Sequence, residues 1–210
     1  PQGVPSDGER FLNVDNLVYV VGHLTGTRFE CVGPVRELDR GFEVYAPQAF
    51  SNVEDRTVLM LWLGNPRQDD QPSLENGWVH ALSLPREVRL RDGVLTQSPV
   101  RELEERVPVT RIEMEQADGI VATLTPESPH VRIVARIDLA DGAAEFVVHG
   151  QGDTQTSVGL SAGALRVDRS RTRYAPDLGQ LDEGAATKGE RGVRCTSLPG
   201  EVGSIRDVEL

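Results

Sequence analysis

Gly41-Phe42-Glu43-Val44-Tyr45-Ala46-Pro47-Gln48-Ala49-Phe50 is the stretch on which the reading of this chain turns. Behind it comes Arg56-Thr57-Val58-Leu59-Met60-Leu61-Trp62-Leu63, a continuous apolar run with β-branched and aromatic ends. A run of that length predicts a strand buried on both faces. A polar, proline-containing loop follows, and then Gly77-Trp78-Val79-His80-Ala81-Leu82-Ser83-Leu84-Pro85-Arg86-Glu87. Strands are expected over residues 79–84 and 86–90. Arg91-Asp92-Gly93-Val94 then supplies a hairpin turn, because Asp-Gly accepts the two left-handed positions such turns require.

Working outward, residues 1–16 are turn-rich and polar. Residues 17–21 (Leu-Val-Tyr-Val-Val) predict a first strand, and residues 27–31 a short return strand after Thr25-Gly26. On the C-terminal side, Pro-Val-Arg-Glu-Leu-Glu-Glu-Arg-Val over residues 99–107 predicts a linker helix. Proline is tolerated in a first helical turn, and Val100, Leu103 and Val107 share one face. Glu102, Glu104 and Glu105 then read as a solvated face. Beyond Pro108, strands are expected at 112–114, 120–124, 131–137, 145–149, 157–160 and 164–168, separated by Asp-Gly and proline turns. That spacing suggests a β-sandwich. Residues 177–192 read as a loop, and residues 200–210 stop inside what reads as a strand.

Composition agrees with an all-β class. Only 38% of the 210 residues are hydrophobic and 5% aromatic, against 21 Gly and 13 Pro. Many short strands joined by turns have this profile. The net charge of −11 repels phosphate backbones, so nucleic acid is not an expected partner. No apolar run approaches the length of a membrane-spanning helix, and no membrane partner is expected. Cys31 and Cys195 are far apart and read as two free thiols. His23, His130 and His149 have no partners at ligand spacing, so neither metal nor cofactor is expected.

Taken in order, these segments resemble glycoside hydrolase family 32. Its members carry Gly-Phe-Asp-Phe-Tyr-Ala-Pro-Gln-Thr-Phe, then a strand ending Gly-Trp-Met-Gly, then Gly-Trp-Ala-Gly-Ala-Leu-Thr-Leu-Pro-Arg-Glu. Pro1-Gln2-Gly3 with Tyr19-Val20-Val21-Gly22 is similar to the family's Ser-Pro-Gln-Gly and Tyr-x-x-Gly, and Leu165-Arg166-Val167-Asp168-Arg169-Ser170 to its Leu-x-x-Asp-Arg-Ser. The resemblance implies the last blades of a five-bladed β-propeller over residues 1–98, the linker helix over 99–107, and a β-sandwich over 108–210, incomplete at its end. It implies cleavage of terminal β-D-fructofuranosyl residues from sucrose, sucrose 6-phosphate or fructans. The bacterial members it is most similar to point to the cytoplasm.

The family's reaction retains configuration and needs two carboxyl groups roughly 5 Å apart. Its nucleophile lies in Trp-x-Asn-Asp-Pro-Asn-Gly, its acid/base in Glu-Cys-Pro, and a transition-state stabiliser in Arg-Asp-Pro. None of the three motifs occurs among the 210 residues, so no catalytic residue is assigned and the chain alone is expected to be inactive. Glu30-Cys31 imitates the start of Glu-Cys-Pro, but Val32-Gly33 follows it, and it falls after the Tyr-x-x-Gly strand instead of before Ser-Pro-Gln-Gly. It reads as a strand-end glutamate beside a buried cysteine.

By resemblance, the substrate-facing candidates are Glu43, Tyr45, Ala46, Trp62 and Trp78. A Tyr hydroxyl can donate to or accept from a sugar hydroxyl, and an indole offers a flat face to a sugar ring. Glu43 stands where the family has Asp, Val44 replaces an aromatic, and Val79-His80 replaces Ala-Gly. Asp168-Arg169 reads as a local ion pair inside the sandwich. Two other readings stand beside the enzyme one: a carbohydrate-binding β module that does not cut, and a purely structural β module.

Overall fold

The computed structural model describes residues 4–64, 72–104, 106, 119, 123, 125, 131–139, 142–161, 163–172, 193–197 and 205–209. The chain is all-β. Strands β1 (Val18–Tyr19), β2 (Gly22–Thr25), β3 (Arg28–Cys31), β4 (Arg36–Glu37), β5 (Val44–Val53), β6 (Arg56–Leu63), β7 (Ala81–Leu82), β8 (Arg86–Arg91) and β9 (Val94–Pro99) precede a single-turn helix, α1 (Arg101–Glu104). Strands β10 (Val134–Asp138), β11 (Ala143–Gln151), β12 (Thr154–Ser161), β13 (Ala164–Arg171), β14 (Val193–Ser197) and β15 (Ile205–Glu209) follow. The expected strands at 112–114 and 120–124 and the loop at 177–192 lie outside the described residues, apart from isolated positions.

The first half is built on an antiparallel sheet of order β5-β6-β8-β9, with β7 also pairing β6. Strand β6 alternates: Leu59 and Leu61 are buried, whereas Met60 and Trp62 are half-buried. The expectation of burial on both faces is therefore corrected. One face of β6 meets the core formed by Leu17, Val44, Leu59 and Leu61, with Leu38 and Val88 packed against it. Leu17 and Leu38 flank the small β1·β4 ribbon and are tied together by the Leu38 amide donating to the Leu17 carbonyl (2.9 Å). The ribbon is pinned to the sheet by the Leu95 amide donating to the Tyr19 hydroxyl (3.2 Å) and by Arg86 pairing with Asp39.

Residues 79–84, expected as one strand, pair only at Ala81–Leu82, and the reason is local. Pro85 has no N–H to donate, so the ladder beside β6 is interrupted. Ser83 bridges the gap: its amide donates to the Leu61 carbonyl (2.8 Å), and its hydroxyl accepts the Leu61 amide (3.1 Å). Pairing resumes at Leu59↔Arg86. The Asp92-Gly93 turn forms as expected, with φ of 50° and 74°, and sets the register Arg91↔Val94. The β5·β6 turn uses Glu54 and Asp55 at φ of 51° and 60°, without the glycine that would have announced it.

The expected first strand shrinks to β1, which pairs with β4, while β2 and β3 make a separate hairpin with Leu24↔Phe29 in register. The helix expected over 99–107 is four residues long, because Pro99 still pairs with Arg86 as part of β9. Val100 is buried as its spacing suggested, and Val107 lies outside the described residues. Cys31 and Cys195 are free, as expected, but Cys31 is exposed, contrary to the expectation of a buried thiol.

In the second half β11, β12, β13 and β14 form a sequential antiparallel sheet, and β10 pairs with β15. Leu139 and Leu160 form a second core, joined by Ile137, Ala144, Phe146 and Leu165. No sheet closes on itself among the described residues.

Two outcomes test this architecture. Leu61, at 0% exposure, has no room to relax into, so Leu61→Ala should cost about 3 kcal/mol in urea unfolding. The Arg56 guanidinium meets Glu102 in two hydrogen bonds (2.6 and 3.2 Å) and holds its carboxyl at about 2, below the ordinary 4.5. A depressed carboxyl contributes its stability in full above its unfolded value and loses it as pH falls towards 2. Glu102→Gln should therefore flatten the acid limb of stability between about pH 4.5 and 2, read from urea midpoints across that range.

Candidate functional site

The turn Gly41-Phe42-Glu43 delivers the chain into β5. Gly41 donates its amide to the Asp39 carboxylate (2.6 Å), and Glu43 takes a left-handed backbone, φ 49°. Two residues later Ala46 is left-handed too, φ 45°, where the register between β5 and β6 slips by one residue. That bulge absorbs Pro47, which cannot serve a regular ladder. His80, φ 64°, which packs against Trp62, is left-handed as well. Such conformations cost about 1 kcal/mol or more each and gather where a surface must be shaped.

A small cleft with room for about one water lies here, lined by Asn13, Val14, Asp15, Glu43, Tyr45 and Gly64. Tyr45 sits directly across from Trp62 in the β5·β6 ladder, so their side chains share a face. The Trp62 indole meets the His80 imidazole edge-on, with ring centroids 4.9 Å apart. Gly64 makes this pairing possible. A methyl group there would approach the His80 ring to 2.6 Å and the Trp62 Nε1 to 2.7 Å. The Gly64 amide donates to the Glu43 carbonyl (2.8 Å), which joins the two strands at the cleft.

The five candidates thus divide. Glu43 and Tyr45 line the cleft, Trp62 stands beside Tyr45, and Ala46 is exposed at the bulge. Trp78 is 56% exposed and is not among the cleft-lining residues. The Glu43 carboxylate does not point freely to solvent but meets the Arg169 guanidinium at 2.9 Å. This corrects the expected Asp168–Arg169 pair. Asp168 is instead bonded to Arg166 (2.7 Å) and Ser170, because neighbours on one strand point to opposite faces.

Asn13 and Asp15 were not singled out in the sequence. Asp15 is 7% exposed, and neither of its carboxyl oxygens has a hydrogen-bond partner; the side chain of its buried neighbour Asn16 is equally unserved. A buried polar group left this way costs roughly 1–3 kcal/mol. The only sequence signal was the alternation Asn13-Val14-Asp15-Asn16 immediately before an apolar strand. Among the described residues no His, Cys, Asp and Glu cluster fits a metal ion.

The fold and this cleft define a nearly all-β chain in which two of the motif residues, Glu43 and Tyr45, meet at one small site. Residues 1–99 match the model of the glycosyl hydrolases family 32 N-terminal domain. The sucrose-6-phosphate hydrolase of Staphylococcus xylosus is 37% identical over 188 residues, covering 84% of this chain and 37% of that protein. That of Klebsiella pneumoniae is 40% identical over 107 residues, covering 49% of this chain and 23% of that protein. Among solved structures, the Bombyx mori GH32 β-fructofuranosidase BmSUC1 superposes with a TM-score of 0.71 at 23% identity, over all of this chain and 41% of the other. The sucrose-6-phosphate hydrolase of Lactobacillus gasseri does so with a TM-score of 0.63 at 18% identity, again over all of this chain and 41% of the other. The chain belongs to glycoside hydrolase family 32. It spans well under half the length of these relatives.

Gly64→Ala should force the Trp62–His80 pair apart. The expected readout is a change in the near-ultraviolet circular dichroism of the indole, with a loss of about 1–3 kcal/mol in urea unfolding.

Proposed function

We propose that this chain is the C-terminal portion of a retaining β-fructofuranosidase acting on sucrose, sucrose 6-phosphate or a fructan. The observation that carries this reading is the convergence of Glu43 and Tyr45 on one cleft, with Trp62 in register beside Tyr45. In this reading Tyr45 exchanges hydrogen bonds with a sugar hydroxyl, Ala46 leaves room beside it, and Glu43 shapes the wall while neutralised by Arg169. Trp62 and Trp78 offer apolar faces.

The four-stranded meander β5-β6-β8-β9 has the form of a propeller blade. The exposed hairpin β2·β3 fits an unfinished one, with Leu24 72% and Phe29 48% exposed. On this reading residues 1–98 are the closing blades, α1 is the linker, and β10 to β15 belong to a sandwich. The exposed apolar residues Leu63, Leu82 and Leu84 then mark surface that the remaining blades would cover.

Hydrolysis with retention requires a nucleophile and an acid/base, and the motifs that hold both in the family are missing from these 210 residues. Purified chain incubated with sucrose should therefore release no fructose above the rate of a heat-denatured control. Measurable release would overturn the assignment of the catalytic pair to another segment. The second reading, a binding module that does not cut, draws on the same cleft. Calorimetry against sucrose and levan separates the two: tight binding without turnover favours the module, and absence of binding favours an enzyme portion that needs its other blades.

A further inference from the structure

Beside the cleft residue Glu43, two guanidinium groups from the second sheet close on one aromatic ring, Phe42, in the turn that leads into β5. Arg169, on β13, lies 3.8 Å from the centroid of Phe42, and Arg194, on β14, lies 4.5 Å from it. Arg169 also pairs with Glu43 (2.9 Å). Arg194 donates to the Asn13 side-chain oxygen (2.9 Å), and the Asn13 amide nitrogen donates onward to the Gly41 carbonyl (2.8 Å). Two cleft-lining residues, Asn13 and Glu43, are thus each held by an arginine from a distant part of the chain.

The arrangement is poor value as simple packing. Arg194 is 6% exposed, and burial, with Arg169 close by, pulls it down to about 10. The Nε atoms of both arginines are buried without a partner. Apolar side chains would fill the same space without that penalty. What they could not supply is direction. A planar guanidinium stacks on a ring and bonds a carboxylate at once, which fixes Phe42 and Glu43 relative to each other. Further contacts run along the same strand edge. Arg40 donates to the Thr196 hydroxyl, and the Ser197 amide donates to the Glu9 carboxylate.

We infer that Arg169 and Arg194 are positioning residues: the second sheet sets the shape of the cleft by clamping Phe42, Glu43 and Asn13. The route forward is explicit. Arg169 fixes Glu43, the Glu43 carbonyl accepts the Gly64 amide, and Gly64 makes room for the Trp62–His80 pair. The functional meaning of the clamp rests on the cleft being the sugar-facing surface, but the clamp itself does not.

The test uses the full chain, labelled with nitrogen-15, and follows the Gly64 amide and the Trp62 indole, which lie one hydrogen bond or more beyond Glu43. Arg169→Met should displace both signals while leaving those of the β2·β3 hairpin in place. Arg169→Lys keeps the charge but not the flat stack and should bring the Gly64 signal part of the way back. Phe42→Leu keeps apolar bulk, removes the ring that both arginines face, and should displace the same signals. If Arg169→Met does not fold, the lysine and leucine variants decide. Gly64 and Trp62 signals that stay at their original positions in the folded variants overturn the clamp. Calorimetry with sucrose on the same samples judges the sugar reading separately, because displaced Gly64 and Trp62 signals leave the clamp standing whether or not the samples bind sugar.

Discussion

Strand β6 is hydrogen-bonded on both edges, and everything else in the first half of the chain is arranged around that fact. Its apolar side chains Leu59 and Leu61 supply half of the buried core, with β5 on one edge and β7, Ser83 and β8 sharing the other. A central strand cannot leave backbone groups unpaired in an apolar interior. The break forced by Pro85 is therefore healed by the Ser83 hydroxyl, and the slip opposite Ala46 and Pro47 is confined to an exposed bulge. Both irregularities fall near the end of β6 that carries Trp62. The cleft occupies the place where the regular ladder fails.

The electrostatics follow from a chain rich in acid and served almost wholly by arginine. Arg56 lies among Glu54, Glu87 and Glu102, joining the β5·β6 turn, β8 and the short helix. Arg169 and Arg194 do the corresponding work between the halves, and there the partners include an aromatic face. Lysine, a compact and strongly hydrated charge, fits neither the stacked nor the forked geometry. Ion pairs buried to this degree are offset by the cost of desolvating both charges, so their weight lies in fixing orientation.

Much of the architecture was legible in order and type. Strands β10 to β13 appeared close to where the turn residues divided them, β14 was not foreseen, and Asp92-Gly93 gave its hairpin register outright. The errors have physical causes. The expected helix starts later than read because Pro99 could end a strand as readily as begin a helix. Residues 17–21 did not form one strand because β1 found its partner in β4, a choice made by a distant segment. Burial on both faces of β6 was overestimated because an apolar run reports composition and not what covers each face.

By itself the sequence determined the strand-forming segments, the tight turns and the family, because these depend on local backbone preference and on motifs contiguous in the chain. Tyr45 and Trp62 became neighbours only through the register of β5 on β6, which the bulge at Ala46 sets. Asn13, Asp15 and Glu43 met only in the folded chain, and Arg169 was freed from Asp168 because adjacent residues of a strand face opposite ways. The Glu43–Arg169 and Asn13–Arg194 contacts join segments more than a hundred residues apart, and no local pattern in the chain encodes that distance.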